Sequence, residues 1–261
     1  MAMSGLQTWV INLDRAPERL ERIRAQLQRL QLPWMRLAAF DARSLAPAQR
    51  AALDERAYRR LHGMAPIAGE LGCYLSHVEV MRRFLDGDAD FALVLEDDVL
   101  LHDSLPAVLQ GLMARPQRWD MVKLSAVHSG TPVPVLAVAP GHWLAVMLSR
   151  CTGSSAYLVN RGAATAYLRG LLPMRLPYDH VFDLGWRFGL QVRLVTPTPC
   201  THDDRIATTI EPLPGPSRKF HWSRRLATHR YRAGIELQRF WYGLTQLVRE
   251  ARTTVARDPS K

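Results

Sequence analysis

Cysteine is scarce in this chain. Cys73, Cys151 and Cys200 are the only three in 261 residues, an odd number at wide spacing with no Cys-x-x-Cys. Such spacing argues against a disulfide framework and against a zinc ribbon, and it fits reduced thiols in a cytosol. No run reaches the roughly 18 apolar residues that a membrane-spanning helix needs. The opening residues, Met1-Ala-Met-Ser-Gly-Leu-Gln-Thr8, lack a basic stretch followed by an apolar one. The expectation is a protein neither exported nor integral to a membrane. Internal repeats and low-complexity tracts are missing too, so nothing indicates a repeat architecture.

What remains is ordinary globular composition, 48% hydrophobic and 22% charged, enough for one substantial core with an appended segment. The charge is unevenly placed. Residues 217–261 carry 11 Lys/Arg against 3 Asp/Glu, which is +8 of the formal +10 and leaves +2 for residues 1–216. A basic tail on a nearly neutral body points to an anionic surface, lipid headgroups or nucleic acid, touched by one segment.

The chain is organised around Phe91-Ala-Leu-Val-Leu-Glu96-Asp97-Asp98-Val99. Five apolar residues in a row read as a strand buried on both faces, as in a parallel sheet covered by helices. Three carboxylates cannot continue that burial without partners, so they mark the carboxyl end of the strand, where open α/β sheets place their ligand crevice. Strand alternation predicts Glu96 and Asp98 on one face and Asp97 on the other. Paired oxygens suit a hard divalent cation; a solvated acidic turn gives the same sequence.

Upstream, Thr8–Leu13 reads as a first strand, and Pro17 with Leu20, Ile23, Leu27 and Leu30 as an amphipathic helix. Trp34–Phe40 supplies a second strand, and βαβ spacing implies parallel pairing. Asn12, Asp14, Arg15 and Arg19 then fall near the carboxyl end of strand one, where they suit a ligand or plain turn chemistry. Leu45–Leu61 has helical composition. Glu70–His77 leads into another helix, with Gly72 permitting close backbone approach and Ser76 and His77 placed toward the crevice or simply within the helix. Downstream, Trp119–Ser125, Thr152–Val159 and Leu190–Val195 read as strands, whereas Thr131–Gly141 is too rich in proline to assign. Asn160 suits the N-cap of a helix over Arg161–Leu171. Asp179 and His180 occupy a loop ahead of a helix containing Phe182, Leu184, Trp186 and Phe188. In the last segment Leu237, Phe240, Trp241, Leu244, Leu247 and Val248 share one helical face with arginines around it. That helix suits a headgroup boundary or packing on the body.

Three ordered motifs, Val10-Ile-Asn-Leu-Asp-Arg15 with Glu18-Arg19, Gly69-Glu-Leu-Gly-Cys-Tyr-Leu-Ser-His77 and Leu93-Val-Leu-Glu-Asp-Asp-Val99, together resemble the family-25 glycosyltransferases. That group includes bacterial lipooligosaccharide β-galactosyltransferases. Trp119–Leu124, Gly153–Val159 and Leu176–His180 extend the similarity over roughly residues 8–200. The resemblance implies an α/β, GT-A-like fold. Its expected form is a single Rossmann-like, mostly parallel sheet flanked by helices over residues 1–216, with a basic amphipathic helical tail over 217–261. It also implies a UDP-sugar donor, transfer with inversion, and a Mn2+ or Mg2+ ion at the acidic motif. On that basis Asp98, Asp97 and His202 are expected to hold the metal. Asn12, Asp14, Arg15, Arg19, Ser76, His77, Glu96 and Asp97 are expected to bind the donor, and Asp179 is the expected base.

The leading functional expectation is a metal-dependent transferase moving a hexose, galactose foremost, to a lipid-linked oligosaccharide in lipopolysaccharide or lipooligosaccharide biosynthesis. It would work in the cytoplasm, peripheral on the inner face of the cytoplasmic membrane, with the tail touching anionic lipid. Two alternatives belong to other classes. A nucleic-acid-binding protein would use the same basic tail, but its charge sits in one segment and no nucleic-acid motif is present, so no nucleic-acid partner is expected. A catalytically inactive sugar-binding module would not need an intact acidic triplet.

Overall fold

The computed structural model of the chain describes residues 3–202, 220–221 and 225–255. Strand β1 (Leu6–Asn12) leads into α1 (Pro17–Arg29), which starts at a proline and buries Ile23 and Leu27, and the chain returns as β2 (Met35–Ala38). The helical stretch expected over 45–61 is broken into α2 (Pro47–Arg50) and α3 (Glu55–His62). The break falls where Asp54 turns its carboxylate to accept from the Ala57 amide at 3.0 Å, starting the second helix. Helix α4 (Ala68–Asp86) then precedes β3 (Phe91–Glu96), the short β4 (Val99–Leu101) and α5 (Leu105–Met113).

Strand β5 (Met121–Lys123) is followed by a hairpin, β6 (Pro132–Ala139) and β7 (His142–Met147), in the stretch that proline made unreadable. β6 lies at the sheet edge, where a strand tolerates residues without an amide hydrogen. Next come β8 (Ala156–Asn160) and α6 (Arg161–Gly170), with Asn160 capping as expected by accepting from the Ala163 amide at 2.7 Å. The expected helix around Phe182–Phe188 is two short turns, α7 (Tyr178–Val181) and α8 (Gly185–Phe188), so Asp179 and His180 sit within the first of them. Strands β9 (Val192–Thr196) and β10 (Cys200–His202) complete the body, and α9 (Leu226–Val255) closes the described chain.

The main sheet has eight strands in the order β2-β1-β3-β8-β5-β9-β7-β6. β1 pairs in parallel with β2 and β3, and β5 with β9; the other four pairings are antiparallel. The α/β class is as expected, but the mostly parallel sheet is corrected to a mixed one. β8 inserts antiparallel between β3 and β5, and the hairpin adds an antiparallel edge. β3 is covered on both sides: Ala92 and Val94 join the apolar cluster under α4 and α6, while Leu93 and Leu95 join the one under α1 and α5. Its continuous apolar run therefore reads correctly, although one neighbour is antiparallel.

The expected boundary between residues 216 and 217 lies outside the described residues. Beyond it, α9 turns a polar face inward. Arg239 is buried and donates to Asp183 at 2.7 Å, Glu250 pairs with Arg118 and with Arg193 at 3.1 Å, and Thr228 donates to the Arg60 carbonyl at 2.8 Å. Leu237, Phe240, Trp241 and Val248, the heart of the expected apolar face, are 43–60% exposed. The helix thus packs on the body and presents its apolar stripe outward.

Candidate active site

Where β3 ends, the chain turns sharply at Asp97-Asp98 and restarts as β4. This turn cancels the alternation expected from an extended strand. Asp97 and Asp98 both meet Arg19, whose Nη2 lies 2.5 Å from Asp97 Oδ1 and 2.7 Å from Asp98 Oδ2, while Glu96 turns the other way. Glu96 Oε1 accepts from Ser154 Oγ at 3.0 Å and lies 3.3 Å from His77 Nε2. A cleft of about 460 Å³ opens above the turn, within the range of small-molecule sites.

Most of the expected site residues line this cleft: Arg15, Arg19, Ser76, His77, Glu96, Asp97, Asp98, Asp179 and His202. Asn12 stands behind it, fully buried, donating to Asp97 Oδ2 at 2.7 Å and to the Ala16 carbonyl at 2.9 Å. It is not among the residues that line the cleft. Asp14 pairs with Arg36 at 2.5 Å on the surface and is not among the lining residues. Arg15 reaches Asp41 at 3.1 Å from the rim. Ser76 donates to the Gly72 carbonyl at 2.7 Å and accepts from the Phe40 amide at 3.0 Å, tying α4 to the segment after β2. Gly72 makes that approach possible, since a Cβ there would stand 2.4 Å from the Phe40 carbonyl oxygen.

His77 is held on every side. Its Nδ1 lies 3.0 Å from the Tyr157 hydroxyl, and its ring stacks on Tyr178 with centroids 4.2 Å apart. In the same cleft, the Gly153 amide donates to Asp179 Oδ2 at 3.4 Å. Gly153 has φ +103°, a conformation that favours glycine, so the loop can turn its amide toward the carboxylate. Asp179 stands in the first turn of α7, just after its N-cap Pro177, and lines the cleft. Sequence reasoning passed over Cys73, Ser154 and the two tyrosines. All four lie within the quoted motifs, and Cys73 also precedes His77 by one helical turn.

Burial opposes ionisation of Glu96, but hydrogen bonds with His77 and Ser154 and the Arg19 charge together hold its carboxyl below the usual value. Burial pushes Asp97 up, only partly offset by Arg19 and Asn12. Burial and then the Glu96 charge push Asp98 up to about 6 against the pull of Arg19 and His202. Among the described residues Asp98 Oδ1 is buried with no hydrogen-bond partner, and His202 Nδ1 lies 3.8 Å from it. An orphaned carboxylate oxygen beside an imidazole, in a cleft crowded with acids, is a donor set that fits a divalent cation. Both oxygens of Asp97 are already engaged, so Asp98 and His202 fit best.

Residues 6–131 match the sequence model of glycosyltransferase family 25, described as an LPS biosynthesis protein. The match covers just under half of the chain. The matched segment contributes the acidic turn, α4, Arg15 and Arg19, whereas Ser154, Asp179 and His202 reach the cleft from beyond it. Among curated proteins the chain is similar to procollagen galactosyltransferase 1 of Danio rerio, 28% identical over 66% of this chain and 30% of that protein. Procollagen galactosyltransferase 2 of Homo sapiens is 27% identical over 51% of this chain and 22% of that protein. Inactive glycosyltransferase 25 family member 3 of Homo sapiens is 27% identical over 68% of this chain and 32% of that protein. The chain spans less than a third of the length of these curated relatives.

Proposed function

We propose that the chain is an inverting glycosyltransferase of GT-A type that moves a hexose from a UDP-sugar to an oligosaccharide acceptor. The observation that carries this reading is the unpartnered Asp98 Oδ1 facing His202 in the same cleft as Asp179. Asp98 and His202 would hold a Mn2+ or Mg2+ ion, which when bound neutralises charge on a departing nucleoside diphosphate. Arg15 and Arg19 add positive charge to a cleft that must accept the diphosphate, while His77, Glu96 and Ser76 form the donor wall and Asn12 fixes Asp97. Asp179 takes the proton of the acceptor hydroxyl as its oxygen bonds to the anomeric carbon and the bond to UDP breaks on the opposite face. A single displacement of that kind inverts the anomeric centre.

Galactose as the sugar rests on the names of the relatives, procollagen galactosyltransferases. A lipid-linked acceptor in lipopolysaccharide or lipooligosaccharide biosynthesis rests on the family's description. The outward stripe of α9 supports it, because exposed Phe240 and Trp241 suit a headgroup boundary at the inner face of the cytoplasmic membrane. No helix among the described residues is long and apolar enough to cross a membrane, so attachment would be peripheral. A sugar-binding protein without catalysis is the second reading, favoured by similarity to a relative named inactive. Purified protein incubated with UDP-hexoses and an oligosaccharide acceptor panel, with and without Mn2+, separates the two. Mn2+-dependent release of UDP with a glycosylated product is expected; saturable donor binding without UDP release would support the second reading instead.

A further inference from the structure

We propose that Cys73, His77 and Glu96 form a binding site for a thiophilic divalent cation such as Zn2+, separate from the Asp98 and His202 pair. The proposal goes beyond the transferase reading and does not depend on it. Cys73 Sγ, a His77 ring nitrogen and a Glu96 carboxylate oxygen lie within 4.8 Å of one another. Cys73 and His77 are one helical turn apart on α4, so both project from the same face toward the end of β3. His77 Nε2 lies 3.3 Å from Glu96 Oε1 already.

The surroundings suit a metal better than a plain hydrogen-bonded pair. The other ring nitrogen of His77 meets the Tyr157 hydroxyl at 3.0 Å, and Ser154 donates to Glu96 at 3.0 Å. Outer partners of this kind fix the tautomer of a metal-bound imidazole and orient a ligating carboxylate. Cys73 is half-buried and lines the cleft, so a cation can reach the site and keep a position open to solvent. Three protein ligands with an open position is the arrangement of zinc centres that take a water or substrate. Thiolate and imidazole select zinc or cobalt over magnesium, whereas the oxygen-rich acidic turn selects the harder ions. Burial and then the Glu96 charge push the Cys73 thiol well up, so the metal-free chain holds its proton there; with a divalent cation bound, a thiolate and a carboxylate together balance its charge. Binding exchanges the Cys73 thiol proton for the metal, and the proton leaves to solvent. The cation would engage His77 and Glu96, two residues of the donor wall.

Titrating the reduced full chain with Co2+ tests the proposal, because a thiolate ligand produces a near-ultraviolet charge-transfer absorption that oxygen ligands do not. We expect that absorption to saturate at one Co2+ per chain and to disappear on adding Zn2+. Cys73→Ser should abolish it, Glu96→Gln should weaken Co2+ binding by about tenfold or more, and Asp98→Asn should keep it. Zn2+ should also protect Cys73 of the wild-type chain from N-ethylmaleimide, read by peptide mass spectrometry, which needs no variant to fold. No charge-transfer absorption, no protection of Cys73, or an absorption lost equally in Asp98→Asn would overturn the site.

Discussion

Arg19 Nη2 stands 2.7 Å from Asp98 Oδ2, with both side chains withdrawn from solvent. The contact neutralises Asp98 from one side only, and burial together with the Glu96 charge still raises its carboxyl from 3.8 to about 6. Between those values the folded chain holds a proton that the unfolded chain has released. Stability of the metal-free protein therefore falls as pH rises through that window, and the loss is complete above it. Asp98→Asn removes the penalty. We expect the metal-free variant to exceed the wild type by about 1–3 kcal/mol at about pH 7 and to approach it near pH 4, while losing Mn2+-dependent transfer. Urea denaturation at both pH values checks this; a variant less stable than wild type at neutral pH would contradict it.

Asp179 lines the cleft and accepts one long hydrogen bond, from the Gly153 amide, so an amide in its place should disturb little besides proton transfer. Asp179→Asn is expected to slow transfer by about 10²–10⁴-fold, the usual contribution of a positioned base, with donor affinity unchanged. Calorimetric UDP binding beside initial rates distinguishes the outcomes. A collapse of donor affinity would place Asp179 in the donor site instead.

A methyl group at Gly72 meets backbone, the Phe40 carbonyl at 2.4 Å, which cannot rotate away as a side chain can. Gly72→Ala should cost about 1–3 kcal/mol, as overpacking of a tight contact does. It should also shift Phe40 and Ser76, both on the cleft wall. Thermal melting and UDP binding together would register the change; a variant matching wild type in both would show that α4 can move freely there.

The motifs around the acidic strand were legible because each carries its own local signal. An apolar run bounded by carboxylates, a proline opening α1 and an asparagine capping α6 all act within a few residues. Sheet direction was not legible in the same way. Whether β8 runs with or against β3 is decided by chain that lies far away in sequence, and the prolines of β6 hid an edge strand behind a loop signature. The alternation rule failed at Asp97-Asp98 because it holds only while the chain stays extended. Cys73 was passed over because a thiol beside a histidine on one helix face gains meaning only once Glu96 arrives from another element.

The outward face of α9 gives the last prediction. Leu237, Phe240, Trp241 and Val248 are 43–60% exposed on one side of the helix, while Arg239 and Glu250 anchor the other. Deleting the segment would strip buried partners from Asp183, Arg118 and Arg193, and leaving one member of a buried pair costs about 3–5 kcal/mol. Truncation would therefore confuse folding with attachment. Trp241→Glu changes only the exposed face, and it should leave the melting temperature near that of the wild type. Burying a large apolar side chain contributes roughly 1.5–3 kcal/mol, so the variant should bind anionic vesicles about tenfold more weakly or worse. Raising the salt concentration should weaken the wild type as well, since arginines on the same helix meet the lipid charge at a screened surface. Vesicle sedimentation with and without phosphatidylglycerol measures both effects. If Trp241→Glu and wild-type protein sediment equally, the stripe does not hold the enzyme to a membrane.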